Sequence, residues 1–109
     1  MDYRVTLTPQ AVEQIRETVL YIARTLQAPE TAKGWADLLY RKIGELQSMP
    51  SRYPLMDEEL WRDRGIHKMP VKNFLVYYWI DEENKSVTIT AVIYGRRDQL
   101  AALASMPQE

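Results

Sequence analysis

The sequence contains no cysteine, which excludes disulfide bonds, a thiol nucleophile and thiolate metal ligands and is compatible with a reducing cytosol. No apolar run approaches the roughly 20 residues that span a bilayer. The opening MDYRVTLTPQ also lacks the basic and apolar regions of a signal peptide. There is one histidine, and we find neither a Gly-rich phosphate loop nor a pattern of metal ligands. We therefore predict a cytoplasmic protein that needs no metal or other cofactor and does not associate with membranes.

Charge of one sign is not in excess, because 14 Lys and Arg nearly balance 15 Asp and Glu. The distribution is more informative than the sum, since the stretch from Arg62 to Arg97 holds seven basic residues against four acidic ones. Six of these basic side chains could form one local surface: Arg62, Arg64, Lys68, Lys72, Arg96 and Arg97. A solvated face explains the same charges equally well.

The first half of the chain predicts a short strand and two helices. Residues 3–7 alternate in polarity, which favours a strand, and Thr8-Pro9 is typical of a helix start, with threonine as the N-cap. Apolar residues then recur at helical spacing in two stripes. The first stripe comprises Val12, Ile15, Val19, Ile22 and Leu26, and the second comprises Ala32, Trp35, Ala36, Leu39, Ile43 and Leu46.

Pro29 separates the two stripes and Met49-Pro50 ends the second, so the pattern predicts a helical hairpin. On the outer side of the second helix we expect i,i+4 ion pairs from Arg41 to Asp37 and to Glu45. Gly34 and Gly44 weaken this helix, each by roughly 1 kcal/mol relative to alanine. We therefore expect them to mark the close approach of another element.

The second half predicts a loop over residues 50–64 and then three strands. The first follows Gly65, where Pro70 indicates either an edge position or an interruption of the strand. The second, residues 74–80, is apolar on both faces, as in a central strand. After a turn at 81–86, alternation predicts Val87, Ile89, Ala91 and Ile93 on one face of the last strand, and Thr88, Thr90, Val92 and Tyr94 on the other. Asp98 is placed to cap a short C-terminal helix.

Residues 1–109 are thus expected to form one α+β domain with two layers. Its order is an N-terminal strand, a helical hairpin, a three-strand antiparallel meander and a short C-terminal helix. The hairpin covers one face of the sheet. The other face of the strand at 74–80 needs a second cover, which either the C-terminal helix or a protein partner can supply.

The chain resembles the RelE/ParE superfamily of toxins from bacterial type II toxin–antitoxin modules. Four segments carry this resemblance: the opening strand into Thr8-Pro9, Gly65-Ile-His, Val71-Lys-Asn-Phe-Leu-Val-Tyr-Tyr78 and Val92-Ile-Tyr-Gly-Arg-Arg-Asp98. The resemblance implies a toxin that inhibits growth and a cognate antitoxin that wraps an acidic segment around it. Such a partner would cover both the apolar face and the basic surface.

Two mechanisms exist in this superfamily, and the fold does not choose between them. RelE-like members cut mRNA on the ribosome, whereas ParE-like members poison DNA gyrase. The resemblance aligns Arg97 with a catalytic arginine of the RNases. It also places Leu75 and Leu103 where the RNases carry an arginine and a tyrosine.

Metal-free RNA cleavage needs a base, an acid and cations for the developing charge. The candidates are Arg97, Arg96, His67 and Tyr94. Each also has a structural interpretation, which is the more usual one for a lone strand histidine and for a tyrosine at a strand end. Lys68 and Lys72, together with Arg96 and Arg97, are candidates for contacts with the target or with nucleic acid. For the antitoxin we expect contacts at Leu75, Tyr77, Trp79 and Trp61.

Because two of the expected RNase positions hold leucine, the leading hypothesis is a ParE-like toxin that binds a macromolecular target such as DNA gyrase. The alternative is a ribosome-dependent mRNA interferase, a metal-independent endoribonuclease. A third possibility is a non-toxic interaction module that keeps only the fold. None of the three uses a small-molecule substrate.

Overall fold

The computed structural model describes residues 2–72 and 74–94. For residue 94 it describes the backbone alone. The elements are β1 (Arg4–Leu7), α1 (Pro9–Leu20), α2 (Pro29–Gly44), α3 (Glu59–Asp63), β2 (His67–Val71), β3 (Phe74–Asp81) and β4 (Ser86–Tyr94). This order confirms the predicted α+β architecture. The predicted C-terminal helix lies outside the described residues. Within them, no helix is long and apolar enough to cross a membrane.

The strands form one sheet in the order β1-β4-β3-β2. β2, β3 and β4 are an antiparallel meander, while β1 pairs in parallel with β4, from Arg4 opposite Ser86 to Leu7 opposite Ile89. β2 is therefore at an edge, which accommodates Pro70 as predicted. β3 and β4 lie in the middle, so β3 must bury both of its faces.

The helical hairpin is confirmed, with one change in its first helix. Thr8 Oγ1 accepts from the Ala11 amide at 3.1 Å, which is the predicted N-cap bond. Tyr21–Thr25 then form a π-helical turn instead of continuing α1. The predicted stripe is wrong at Val12 and Leu26, whose side chains are 47% and 52% exposed, because Ala11 takes the buried position and the π turn shifts the register.

The stripe of α2 packs on the sheet as predicted, whereas its outer side differs from the prediction. The ion pairs of Arg41 with Asp37 and with Glu45 do not form within the described residues; Glu45 instead lies near Lys42 and Arg52. Gly34 and Gly44 do not mark close approaches either, since a Cβ at either position would meet nothing within 4 Å.

The predicted alternation of β4 is wrong beyond Ile89. Tyr77 pairs with Ala91 and Tyr78 with Ile89, so Thr90 is an extra, bulged residue. Because side chains alternate along a strand, one extra residue reverses the faces that follow. Val87, Ile89 and Val92 consequently pack under the helices, while Ala91 and Ile93 lie on the opposite face.

That opposite face has a core of its own. Residues 50–64, predicted as a loop, contain the short helix α3, and this segment folds over the sheet. The resulting second core consists of Met56, Trp61, Ile66, Tyr77, Ala91 and Ile93. The chain itself thus provides part of the cover that the sequence required for β3.

Candidate functional site

His67 is fixed at the start of β2 by contacts on two sides. Its Nδ1 lies 2.8 Å from the carbonyl oxygen of Tyr53. A carbonyl only accepts, so Nδ1 carries the proton and donates it, and the neutral imidazole keeps its lone pair on Nε2. The ring stacks on Tyr78, with centroids 5.1 Å apart and planes 12° apart. His67 is therefore half-buried and oriented, with Nε2 as its basic atom.

Tyr78 connects this histidine to the preceding loop. Its hydroxyl donates to the carbonyl oxygen of Pro50 at 2.5 Å, and both residues are buried. Burial also raises the pKa of Tyr78 well above its ordinary value. At neutral pH the phenol is therefore protonated, and its hydrogen bond holds the loop carbonyl of Pro50 against β3.

Lys68 lies on the other side of β2 from His67, because neighbouring residues of a strand face opposite ways. Its Nζ is 3.8 Å from Asp57 Oδ2, and Arg62 Nη1 donates to the Asp57 carbonyl at 3.3 Å. Arg64 lies over the Trp61 ring, 5.9 Å from its centroid. Three of the predicted basic residues thus contact residues 57–61.

Lys72 belongs to a different neighbourhood. It occupies the turn between β2 and β3, where its φ of 55° is left-handed. It follows Lys68 by four positions, which corresponds to about 13 Å of extended strand. Lys72 therefore lies at the far end of β2 from the basic residues that contact residues 57–61.

Three of the candidate catalytic residues cannot be placed by their side chains. Arg96 and Arg97 lie outside the described residues. For Tyr94 the structure gives only the backbone, which pairs with Phe74. Among the described residues, no three His, Asp or Glu side chains are grouped so that they could hold a metal ion.

The second core places the residues predicted to bind the antitoxin on one face of the sheet. Tyr77 and Trp61 are only 1% and 7% exposed, and burial raises the pKa of Tyr77 to about 12. Leu75 and Trp79 pack against this core while staying partly exposed. The accessible part of the predicted surface is therefore Leu75 and Trp79, supported from beneath by Tyr77 and Trp61.

Sequence reasoning missed the residues that orient the candidates. Tyr53 and Pro50 act through their backbone carbonyls, which carry no side-chain signal. Asp57 was visible as the first residue of the acidic run 57–59. Its opposite charge to Lys68 was the only available indication of the contact.

Comparisons with known proteins relate this chain to toxins of toxin–antitoxin systems. The family described as "ParE toxin of type II toxin-antitoxin system, parDE" matches residues 5–99. No curated protein matches the sequence.

Several solved structures share the fold. The chromosomal ParDE system of Pseudomonas aeruginosa is similar with a TM-score of 0.70 and 14% identity, over 86% of this chain and 97% of that one. The RelBE2 toxin–antitoxin complex of Mycobacterium tuberculosis gives 0.60 and 20%, over 86% and 99%. A free mutant of the Escherichia coli toxin RelE gives 0.60 and 15%, over 95% and 93%.

Proposed function

Because the chain belongs to the ParE toxin family of type II toxin–antitoxin systems, we propose that it inhibits growth in the cytoplasm by binding DNA gyrase, and that a cognate antitoxin neutralises it. Binding to gyrase, and not cleavage of RNA, would distinguish this toxin from RNases of the same fold.

The choice between target binding and RNA cleavage depends on Leu75. It lies in the central strand β3, opposite Ile93, where the resemblance would place a catalytic arginine of the RNases. Its side chain packs against the second core. A hydrocarbon side chain cannot stabilise the charge that develops on a phosphorane, which is the main task of such a site. The position therefore favours binding over RNA cleavage.

The other candidates support the same choice. His67 and Lys68 lie on opposite faces of β2, so the base and this cation do not converge on one phosphate. The charge of Lys68 is also partly compensated by Asp57, 3.8 Å away. Lys68 therefore does not supply the cation that an RNase site would need beside His67.

We place the antitoxin contact at Leu75 and Trp79. Their exposed surfaces adjoin the second core, so a partner that covers them extends an existing apolar layer. The similar structures from P. aeruginosa, M. tuberculosis and E. coli include toxin–antitoxin systems and complexes. Trp61 and Tyr77 contribute indirectly, because they hold Leu75 and Trp79 in position.

A second candidate function is mRNA cleavage on the ribosome, and one observation favours it. The bond from His67 Nδ1 to Tyr53 leaves Nε2 as a fixed acceptor, which is the tautomer that a general base requires. Arg96 and Arg97 would then have to supply the positive charge.

Parallel assays test the target. Purified protein is added to gyrase with relaxed plasmid, and to ribosomes with a defined mRNA. We expect covalent gyrase–DNA complexes and intact mRNA, and we expect Arg96→Ala with Arg97→Ala to weaken the gyrase effect more than Arg4→Ala at an exposed position of β1. Cleavage at defined codons that His67→Ala abolishes would instead establish the RNase.

The partner surface is tested with the antitoxin encoded beside the toxin gene. Trp79→Lys should raise the Kd of the complex about tenfold or more, since a buried aromatic anchor is among the costliest residues to lose. Val12→Lys, at an exposed position on α1, is the matched control and should leave the Kd unchanged. Equal affinities of the two variants would place the antitoxin elsewhere.

A further inference from the structure

A groove with a volume of about 720 Å³ lies on the helical side of the sheet, between the helical hairpin and the β2–β3 turn. This volume falls within the range of sites that hold small molecules. Leu26, Leu38 and Phe74 contribute to its mainly apolar wall. Phe74 packs in the core beneath the helices, whereas Leu75 and Trp79 pack against the second core. The groove and the surface proposed for the antitoxin therefore lie on opposite faces of the sheet.

One row of residues on α2 forms the long side of this groove. Thr31, Gly34, Leu38 and Arg41 all line it, and their spacings of three and four place them on one face of the helix. Over this row the helix rises by about 15 Å. A ligand that follows the row is therefore elongated, with the length of a medium-chain acyl group.

Gly34 keeps the middle of the row open. Glycine weakens a helix relative to alanine, and no neighbouring element requires it here, because a Cβ would meet nothing within 4 Å. The missing side chain leaves space beside Leu38, along the path of such a ligand. The groove, and not packing, therefore gives this glycine a role.

The hairpin turn adds uncovered apolar surface. Leu26 follows the π turn Tyr21–Thr25, and its side chain is 52% exposed, although Ile22 one turn earlier is buried. An apolar chain that covers Leu26 removes hydrocarbon surface from water, which is favourable. Apart from Thr31, the uncharged side chains of the described lining are hydrocarbon or aromatic, so a ligand needs little polarity along its length.

Two cations border the groove, Arg41 at the end of the α2 row and Lys72 in the β2–β3 turn. Neither belongs to an ion pair among the described residues. The described lining also includes no acidic side chain. Both charges are therefore available to an anionic group of a ligand, which they would bind as charge-assisted donors.

We propose that the groove binds a free medium-chain fatty acid. The acyl chain lies along the row of α2 and covers Leu26 and Leu38. The carboxylate lies at the rim, where the charges of Arg41 and Lys72 stabilise it. This site goes beyond the proposed function, because it concerns neither gyrase nor the antitoxin.

Two glycines of α2 provide a matched pair of variants. Gly34→Leu places a side chain in the groove, whereas Gly44→Leu places one outside the described lining. A Cβ at either position meets nothing within 4 Å, so neither change disturbs the core. Gly44→Leu therefore reports any general effect of leucine on the same helix.

The probes are decanoate, decanol and decyltrimethylammonium, which share one chain and differ in charge. Calorimetric titration below the micelle concentration should show one decanoate per chain, bound about tenfold more tightly than decanol and more weakly as salt is added. The cation should bind least. Gly34→Leu should weaken decanoate binding about tenfold, and Gly44→Leu less than twofold.

A second pair of variants tests the cationic rim and serves if Gly34→Leu does not fold. Arg41→Gln with Lys72→Gln should reduce the affinity for decanoate to that for decanol. Lys33→Gln, on the same helix but outside the described lining, is the control and should leave the affinity unchanged.

The methyl resonances of Leu38 give a local readout, with those of Leu75 on the opposite face of the sheet as the internal control. Decanoate should shift the former and leave the latter in place. Vesicles of phosphatidylglycerol distinguish a free fatty acid from an anionic membrane surface, and we expect no binding to them.

Absence of decanoate binding would overturn the proposal, and so would equal binding of decanoate and decanol, equal effects of the two glycine variants or unmoved Leu38 resonances. Binding to the vesicles without binding of monomeric decanoate would show a membrane surface and would also overturn it. None of these outcomes bears on whether the protein poisons gyrase.

Discussion

Gln14 Oε1 in α1 accepts a hydrogen bond from the Val92 amide of β4 at 2.8 Å. The contact lies just beyond the point where β1 stops pairing with β4, at Leu7 opposite Ile89. Thr8 Oγ1 lies 3.4 Å from the carbonyl of Thr90 in the same region. Beyond the end of β1, side chains of the hairpin thus form the hydrogen bonds to the backbone of β4.

We expect Gln14→Ala to lower the free energy of unfolding by about 1–3 kcal/mol, because it leaves the buried Val92 amide without a partner. Gln14→Glu keeps an acceptor of the same length and should lose less. Urea unfolding of these variants, with Glu17→Ala on the exposed side of α1 as the control, measures the difference. A loss in Gln14→Ala no larger than in Glu17→Ala would mean that the bond adds nothing.

Tyr78→Phe should destabilise the fold by about 1–3 kcal/mol, since the buried Pro50 carbonyl loses its donor. Tyr21→Phe is the matched control, because the Tyr21 side chain is largely exposed and should tolerate the change. The urea midpoints of the two variants give the comparison. The loop that carries the Tyr53 carbonyl should also loosen, which hydrogen exchange at residues 50–56 would detect.

Alkaline pH should destabilise the protein. The folded-state pKa of Tyr77 is raised to about 12, above the ordinary tyrosine value of about 10, and that of Tyr78 is raised as well. A raised pKa means that the unfolded chain releases protons first. The stabilisation that the two neutral phenols give the folded protein is therefore complete below about pH 10. It is lost as the pH rises through their folded-state pKa values.

Unfolding by urea at a series of alkaline pH values measures this loss. Tyr77→Phe removes one of the two groups, so its stability should fall less steeply with pH than that of the parent protein. Parallel slopes for the two proteins would show that Tyr77 has no role in the alkaline transition.

Gly34→Ala and Gly44→Ala should each stabilise the protein by up to about 1 kcal/mol. Both glycines lie in α2, where alanine is the better helix former, and a Cβ at either position meets nothing within 4 Å. Thermal unfolding should show additive gains in the double variant, because the sites are separated and share no partner. A loss at either position would indicate a contact that the fold conceals.

The general architecture could be predicted because its signals are repeated along the chain. The stripe of α2 provides several apolar residues at helical spacing, and Trp35, Leu39 and Ile43 are buried as expected. The same holds for β3, where apolar residues on both faces indicated a central strand. Such a pattern still predicts the correct element when one of its residues does not fit.

Features that depend on a single residue could not be predicted in this way. Thr90 is an ordinary strand residue, and nothing in its neighbourhood signals that it is bulged, yet it changes the face of every residue that follows. Trp61 covers β3 from a segment without periodicity. The contact of His67 is with a backbone carbonyl, which any residue at position 53 would offer.

The parallel pairing of β1 with β4 has a consequence for synthesis. Arg4–Leu7 leave the ribosome about 80 residues before their partner strand, which begins at Ser86. The stripes of α1 and α2 have no strands to cover until β2 and β3 have been made, since both follow the hairpin. The sheet closes only when β4 has been made, so early contacts are local and the last step joins the two ends of the described chain. Contacts so distant in sequence slow folding, and the nascent helical hairpin is exposed to aggregation or to a chaperone throughout that interval.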